Sequence, residues 1–368
     1  MKYNHQPLYH AKPSYDATPP RIRHEHQRKP TASTFANAGE CCLLHVTLLK
    51  RHMKQLILSI FMLSWSLGVS AVPLEEKPVV TIKANITEDT LLSSSNVYVI
   101  DEEVHVRSGV TLTAENDTTI LIKNGIFRQY EYGKSPRNIL VFDPGSSLIA
   151  GNLYFRACDT HNRPEKKADN GGIIFLGSSS ETVRKNYLIV NMSTTPSSFR
   201  ARHIHAYYTG ATDLPQPAPI ARVDDYDGLS LIGLNSNEWR VDSITIKYPG
   251  DDGFDTEDSE IKINNLQVIA PTYEDGINMT NSRLDILKTL TLDVGITGIR
   301  DRDLFDFEVD RNPTIIRVAN GVKVSLNGIF GDQVFMVSDD LPPIDIGLYT
   351  FFGITTKGQS YIFSMNKD

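Results

Sequence analysis

The sequence predicts an all-β chain wound as a right-handed parallel β-helix, a solenoid with coils of about 23–25 residues. Three observations predict it. Three segments between Asp224 and Leu292 share one strand-and-turn pattern at that period, their strands carry apolar residues at regular short spacing, and each strand follows an Asp-Gly step. Stacked coils set parallel strands about 4.8 Å apart, so an apolar residue that recurs at one phase builds a ladder along the core.

The repeat is read as follows. Trp239, Val241, Ile244 and Ile246 are spaced 2, 3, 2. Ile261, Ile263, Leu266 and Val268 repeat that spacing, and Leu284, Ile286, Thr289 and Thr291 repeat it with a less apolar end. The preceding steps are Asp227-Gly228, Asp252-Gly253 and Asp275-Gly276. Trp239 falls in phase with the core ladder and is expected to pack. An antiparallel sandwich turns about every 8 to 12 residues without a fixed repeat, and a propeller blade repeats at about 40 or more. A leucine-rich repeat needs a Leu and Asn framework that is absent here.

Ahead of the repeat, Val97–Ile100, Val104–Val106, Val110–Leu112, Ile120–Lys123, Leu140–Phe142, Ser147–Ile149 and Gly172–Gly177 read as short strands divided by turn residues such as Ser108-Gly109 and Asn116-Asp117. Polar excursions run over 130–138, 160–170 and 210–219. Behind it, Val322–Leu326, Val334–Val337 and Ser360–Ser364 continue as strands, expected to close the open end of the solenoid against edge pairing.

The N-terminus reads differently. Residues 1–52 are rich in His, Arg, Pro and Tyr without apolar periodicity, an extension expected to be untranslated or disordered. From Met53 a basic Lys54 precedes an apolar run, and Val69-Ser70-Ala71 supplies small residues for cleavage, so 53–71 is expected to be a secretory signal peptide. The run, about 15 residues, is short of the roughly 20 that span a bilayer, so no integral membrane anchor is expected. The product would be residues 72–368, one β-helix domain, secreted or held at the cell surface or in the periplasm. Of three cysteines only Cys158 lies in that part, which excludes an intramolecular disulfide and leaves stability to packing. Cys158 itself reads as a small buried hydrophobe.

With 37 basic and 44 acidic residues the net charge is -7, and no basic face is visible in the folded part, so nucleic acid is not an expected partner. The constellation with chemical content is acidic. Equivalent turns would place Asp227, Asp252 and Asp275 one coil apart on one edge, joined by Asp251, Asp255, Glu257 and Glu274. Carboxylates so close repel, and a bound cation, raised pKa values or full solvation must compensate. Three readings stay open: paired acids for glycosidic cleavage, a Ca2+ site at Asp252, Asp255 and Asp275, or stacked turn formers with no further role. Asp255, Asp275, Tyr248 and Arg300 are the candidate substrate contacts. His203 and His205 alternate along a strand and would share a face, able to bind metal or sugar or merely to be solvated. Tyr207, Tyr208 and Tyr248 are placed to stack on a ligand if a groove exists. Asn85, Asn116, Asn191 and Asn278 begin glycosylation sequons.

The order Asp225-Tyr226-Asp227-Gly228, a strand, then Gly250-Asp251-Asp252-Gly253 resembles the Asn-Thr-Asp-Gly and Gly-Asp-Asp motifs of the polygalacturonase family and its pectin-lyase-like β-helical relatives, such as dextranases. The resemblance implies catalytic roles for Asp227, Asp251 and Asp252, activating water and protonating the leaving group. The family's Gly-His-Gly motif has no counterpart, since no His follows Asp252, and Arg300-Asp301-Arg302 stands only loosely for its Arg-Ile-Lys. The expected function is binding or processing of a polysaccharide or cell-surface glycan, by a glycoside hydrolase or polysaccharide lyase if the protein is an enzyme. The opposing class is a non-catalytic, adhesin-like or structural rod, with or without Ca2+ as a stabiliser.

Overall fold

The computed structural model describes residues 73–368 apart from 126, 131–132, 137, 179–193, 212–225, 271–274, 296–302, 309–311, 320, 330–333, 339–340, 346–349, 353–360 and 366–368. The chain divides into two units, 1–71 and 72–368, and only the second is described. The expected leader, Glu274 and Arg300 lie outside the described residues.

Apart from a 3-10 turn at Leu74–Glu76, every described element is a strand, and the predicted solenoid is present. A narrow sheet stacks seven parallel strands: Glu103–Val106, Ile139–Phe142, Ile173–Leu176, Leu229–Ile232, Phe254–Glu257, Ile277–Thr280 and Phe305–Glu308. A wide sheet stacks, among others, Ser147–Cys158, Ser198–Tyr207, Trp239–Lys247, Glu260–Ile269 and Arg283–Asp293, again in parallel. These long strands are two short ones fused. Ser147–Ala150 pairs with Thr111–Ala114, while Leu153–Cys158 pairs with the separate strand Thr118–Lys123. At the other end Arg283–Ile286 pairs with Ile315–Val318, and Thr289–Asp293 with residues of Lys323–Ile329.

Side chains alternate across each strand, and the inward set forms one continuous core. Phe142, Phe175, Phe199 and Trp239 interlock at its centre, with the first two rings stacked at 4.5 Å and Trp239 edge-on to Phe175 at 5.3 Å. Trp239 is 2% exposed, the packing role its phase predicts. Each such side chain removed from water contributes about 1.5–3 kcal/mol. Cys158 is likewise buried and free.

The third repeat needs one correction. Ile261 and Ile263 oppose Leu284 and Ile286, but a bulge follows, and Leu266 and Val268 then oppose Leu290 and Leu292. The extra residue puts Leu290 and Leu292 in the core and turns Thr289 and Thr291 outward, removing the apparent loss of apolarity. Where turns are short the period is 22 to 23 residues, at the low edge of the expectation: Ser243 opposes Asn265 and Phe254 opposes Ile277. Elsewhere insertions stretch it, with Ser147 opposite Ser198 and Ile174 opposite Ser230. The C-terminal strands do cover an edge, and they do so antiparallel: Tyr361–Met365 lies on Ile315–Val318, and Thr350–Phe352 on the end of Lys323–Ile329.

Two glycines separate steric from conformational demands. A Cβ on Gly253 would lie 2.3 Å from Val268 Cγ1 and 2.6 Å from the Gly276 carbonyl of the next coil, whereas Gly109 has φ +80° with open space around it. Gly253→Ala should therefore destabilise by about 1–3 kcal/mol through overpacking. Gly109→Ala should lose about 1 kcal/mol through backbone strain alone. Urea melts of both variants check the order.

Candidate functional site

The Asp-Gly steps stack as the repeat predicts. The Gly228 N–H donates to the Asp252 carbonyl at 2.9 Å, Gly253 N–H to the Asp275 carbonyl at 2.9 Å, and Gly276 N–H to the Asp303 carbonyl at 2.8 Å. Asp303 is a fourth member that sequence reading missed, because Leu304 replaces the glycine there. A Cβ on Gly276, one coil before, would lie 3.0 Å from the Leu304 carbonyl, a tight contact.

The aspartates divide by environment. Asp227 is buried and accepts from Ser230 Oγ at 2.9 Å. Asp251 is buried beside Gly250, whose N–H reaches the Thr209 carbonyl. Both carboxylate oxygens of Asp252 take protein donors, the Asp275 N–H at 2.8 Å and Asn278 Nδ2 at 2.9 Å. Asp255 sits between Phe254 and Thr256 and opposite Asn278, on the outer face of the narrow sheet. Asp275 is pushed up to about 8, by burial first and then by the neighbouring Asp252 carboxylate, against the Asp303 N–H that it accepts. Burial also raises Asp306, with the Glu308 charge adding to it. The structure thus gathers Asp227, Asp252 and Asp275 along one edge. Asp252, Asp255 and Asp275 do not converge as calcium ligands: among the described residues no three of His, Cys, Asp or Glu could hold a metal ion.

At the edge between this strip and the wide sheet, Tyr248 stacks on Tyr208 with ring centroids 5.0 Å apart. Both hold a positive φ, 55° and 58°, uncommon for bulky residues, and Tyr248 is exposed.

The outer face of the wide sheet carries a second assembly. His203 and His205 flank the inward Ile204 and do share a face, stacked at 3.7 Å. Tyr154 from the preceding coil stacks on His205 at 4.3 Å, nearly parallel at 3°, and the Tyr207 hydroxyl hydrogen bonds His205 Nδ1 at 3.1 Å. His203 Nε2 meets Thr245 Oγ1 at 2.9 Å. Burial holds both imidazoles below their usual range, His205 at about 4, with the His203 charge adding to the shift. Further along the axis Asn265 donates to Ser243 Oγ at 2.9 Å and accepts from Thr289 Oγ1 at 3.0 Å. A cavity of about 430 Å³ opens over this face, lined by His203, Thr245, Asn265, Gln267, Thr291 and Lys323 among others. None of the strip aspartates lines it. The histidine alternation was legible in the sequence; the amide and hydroxyl rungs beyond it were not, because the bulge hides the phase of Thr289 and Thr291.

A partly buried ion cluster, with Asp143 its buried member, sits at the other end of the narrow sheet. His105 Nδ1 meets Asp143 Oδ1 at 2.6 Å and its Nε2 meets Glu103 Oε1 at 3.0 Å, while Arg107 bonds Asp143 at 2.9 Å. Burial disfavours the imidazolium, but the two carboxylates outweigh it and raise His105 to about 9.

No family model matches this chain, and no curated protein and no solved structure matches it either. Among the described residues no helix is long and apolar enough to cross a membrane.

Two pH dependences follow from these shifts, with opposite origins. His105 binds its proton more tightly folded than unfolded, so its contribution is full below pH 6.5 and is lost as pH rises through about 9. His105→Gln should remove on the order of 1–3 kcal/mol at pH 6, and the gap to wild type should close by pH 10. Asp275 also binds its proton more tightly folded, and as an acid it costs stability as pH rises from about 4 to 8. Asp275→Asn keeps an acceptor for the Asp303 N–H and should be more stable than wild type at pH 9, with little difference at pH 4. Chemical melts across pH check both.

Proposed function

We propose that this protein binds polysaccharide on the outer face of its wide sheet. The observation that carries the reading is the cavity of about 430 Å³ over a floor of hydroxyl and amide side chains with the His203 ring at one end. The His203 ring, continued beside the cavity by the stacked His205 and Tyr154, suits the apolar faces of sugar rings, and the side chains of Thr245, Asn265, Gln267 and Thr291 suit hydroxyl groups. No carboxylate lines the cavity, and Lys323 is the cation in its lining, which suits neutral or anionic sugar units. The Ser243, Asn265 and Thr289 side chains are already hydrogen bonded to one another, so the floor is ordered before a ligand arrives.

Glycosidic cleavage by Asp227, Asp251 and Asp252 is the second reading. Asp252 and Asp275 support it, two neighbouring carboxyl groups of which Asp275 is pushed up to about 8, the kind of raised acid that acid–base cleavage uses. Against it, the same residues make the coil corners, and both Asp252 oxygens are engaged. One panel of neutral and acidic polysaccharides tests both readings. His203→Ala and Gln267→Ala should each weaken binding about tenfold, or about 1.4 kcal/mol, in titration calorimetry. Unchanged affinity in both would remove the groove as the site. Release of reducing ends by wild type but not by Asp252→Asn would establish cleavage, and no release from any polymer leaves binding alone.

A further inference from the structure

The wide sheet carries a third outward row, on the half of each long strand that precedes the groove. Ile149 opposes Arg200, and Arg200 opposes Arg240. Lys262 stands at the same step one coil on: it lies two residues before Asn264, whose side chain bonds Asp242, two residues after Arg240. Lys262 opposes Asp285, and Asp285 opposes Arg317. Each cation sits between two core residues, as Arg240 does between Trp239 and Val241, so all four project to solvent, and all four are exposed.

This row is electrostatically unfavourable in the protein by itself. Successive coils are about 4.8 Å apart, and like charges directly opposite one another across parallel strands repel. Among the described residues none of Arg200, Arg240, Lys262 and Arg317 forms an ion pair. The single acid in the row, Asp285, is taken by Arg283 of its own coil, at 3.1 Å from Nε. In a chain of net charge -7, a file of three adjacent unpaired cations has no structural use in view.

We infer that this row is a docking line for an acidic polysaccharide laid along the solenoid axis. Charges in single file, one per coil, match a polymer that presents one anionic group per sugar ring along an extended chain. A nucleic-acid duplex spreads its phosphates over two strands, one charge per about 1.7 Å of axis, and needs a broader basic face than one row. A bilayer wants apolar anchors along the cations, and the exposed apolar side chain in the row, Ile149, stands beside Arg200, with none opposite Arg240 or Lys262. The inference is independent of the groove, because the row and the cavity share no residue.

The test uses the full chain, with dextran sulfate, polygalacturonate, uncharged dextran and a single-stranded oligonucleotide as probes. The triple variant Arg200→Gln, Arg240→Gln, Lys262→Gln should bind the two acidic polymers at least tenfold more weakly than wild type at 0.1 M salt. Lys288→Gln, exposed but off the row, should not differ from wild type. Wild-type affinity should fall steeply with salt and the triple variant's should fall less. The triple variant should also melt higher than wild type at low salt without polymer, which shows that it folds and that the row repels itself. Equal binding of acidic polymers by wild type and triple variant overturns the inference. So does oligonucleotide binding as tight as that of the acidic polysaccharides. Failure of the groove variants to lose affinity for neutral polymer bears only on the groove.

Discussion

At each Asp-Gly corner a glycine N–H of one coil donates to the aspartate carbonyl of the next, and this bond fixes the register on which the rest of the molecule depends. Once Gly228, Gly253 and Gly276 are locked in sequence, the strands that follow must align, and like residues must lie over like residues. The glycines are needed because the backbones approach too closely for a Cβ, most severely at Gly253. Aspartate serves the corner with its side chain as well: Asp252 captures the Asp275 N–H, and Asp275 captures that of Asp303. The cost is a line of crowded carboxylates, met at Asp275 by holding a proton.

That register turns each outward position into a row, and the rows differ in kind. The narrow sheet shows Ser230, Asp255, Asn278 and Asp306 in succession. The wide sheet shows cations on one half of its long strands, and aromatic, amide and hydroxyl groups on the other. A polymer with its own repeat can meet such rows along its length, where a compact ligand would use only a few rungs. The hydroxyl- and amide-lined cavity and the basic row therefore suit different stretches or different kinds of glycan.

Much of the architecture was legible in the sequence. The Asp-Gly spacing and the 2, 3, 2 pattern are direct consequences of stacked coils with short turns, and Trp239 declared its core position by phase. The third repeat misled, because a single bulged residue shifts the phase of everything after it, so that Thr289 and Thr291 were read as core. The site was less legible for a related reason. Asp227 and Asp252 are conspicuous because they are turn formers next to glycine, which is also why their presence says little about chemistry. Arg200, Arg240 and Lys262 look scattered along the chain and form a file only through strand pairing, so a search for a basic stretch passes over them.

The spacing between paired strands carries a consequence for how the molecule forms. Each coil bonds only to the one before and the one after, whether the intervening chain is 22 residues, as from Ser243 to Asn265, or 51, as from Ser147 to Ser198. Long excursions at the turns therefore leave the neighbouring rungs in place, and a chain that emerges N-terminus first can lay each coil on one already formed. Assembly of this kind is a zipper whose last act is a change of direction: the antiparallel strands at the C-terminal end have no parallel coil to add and stop the growth.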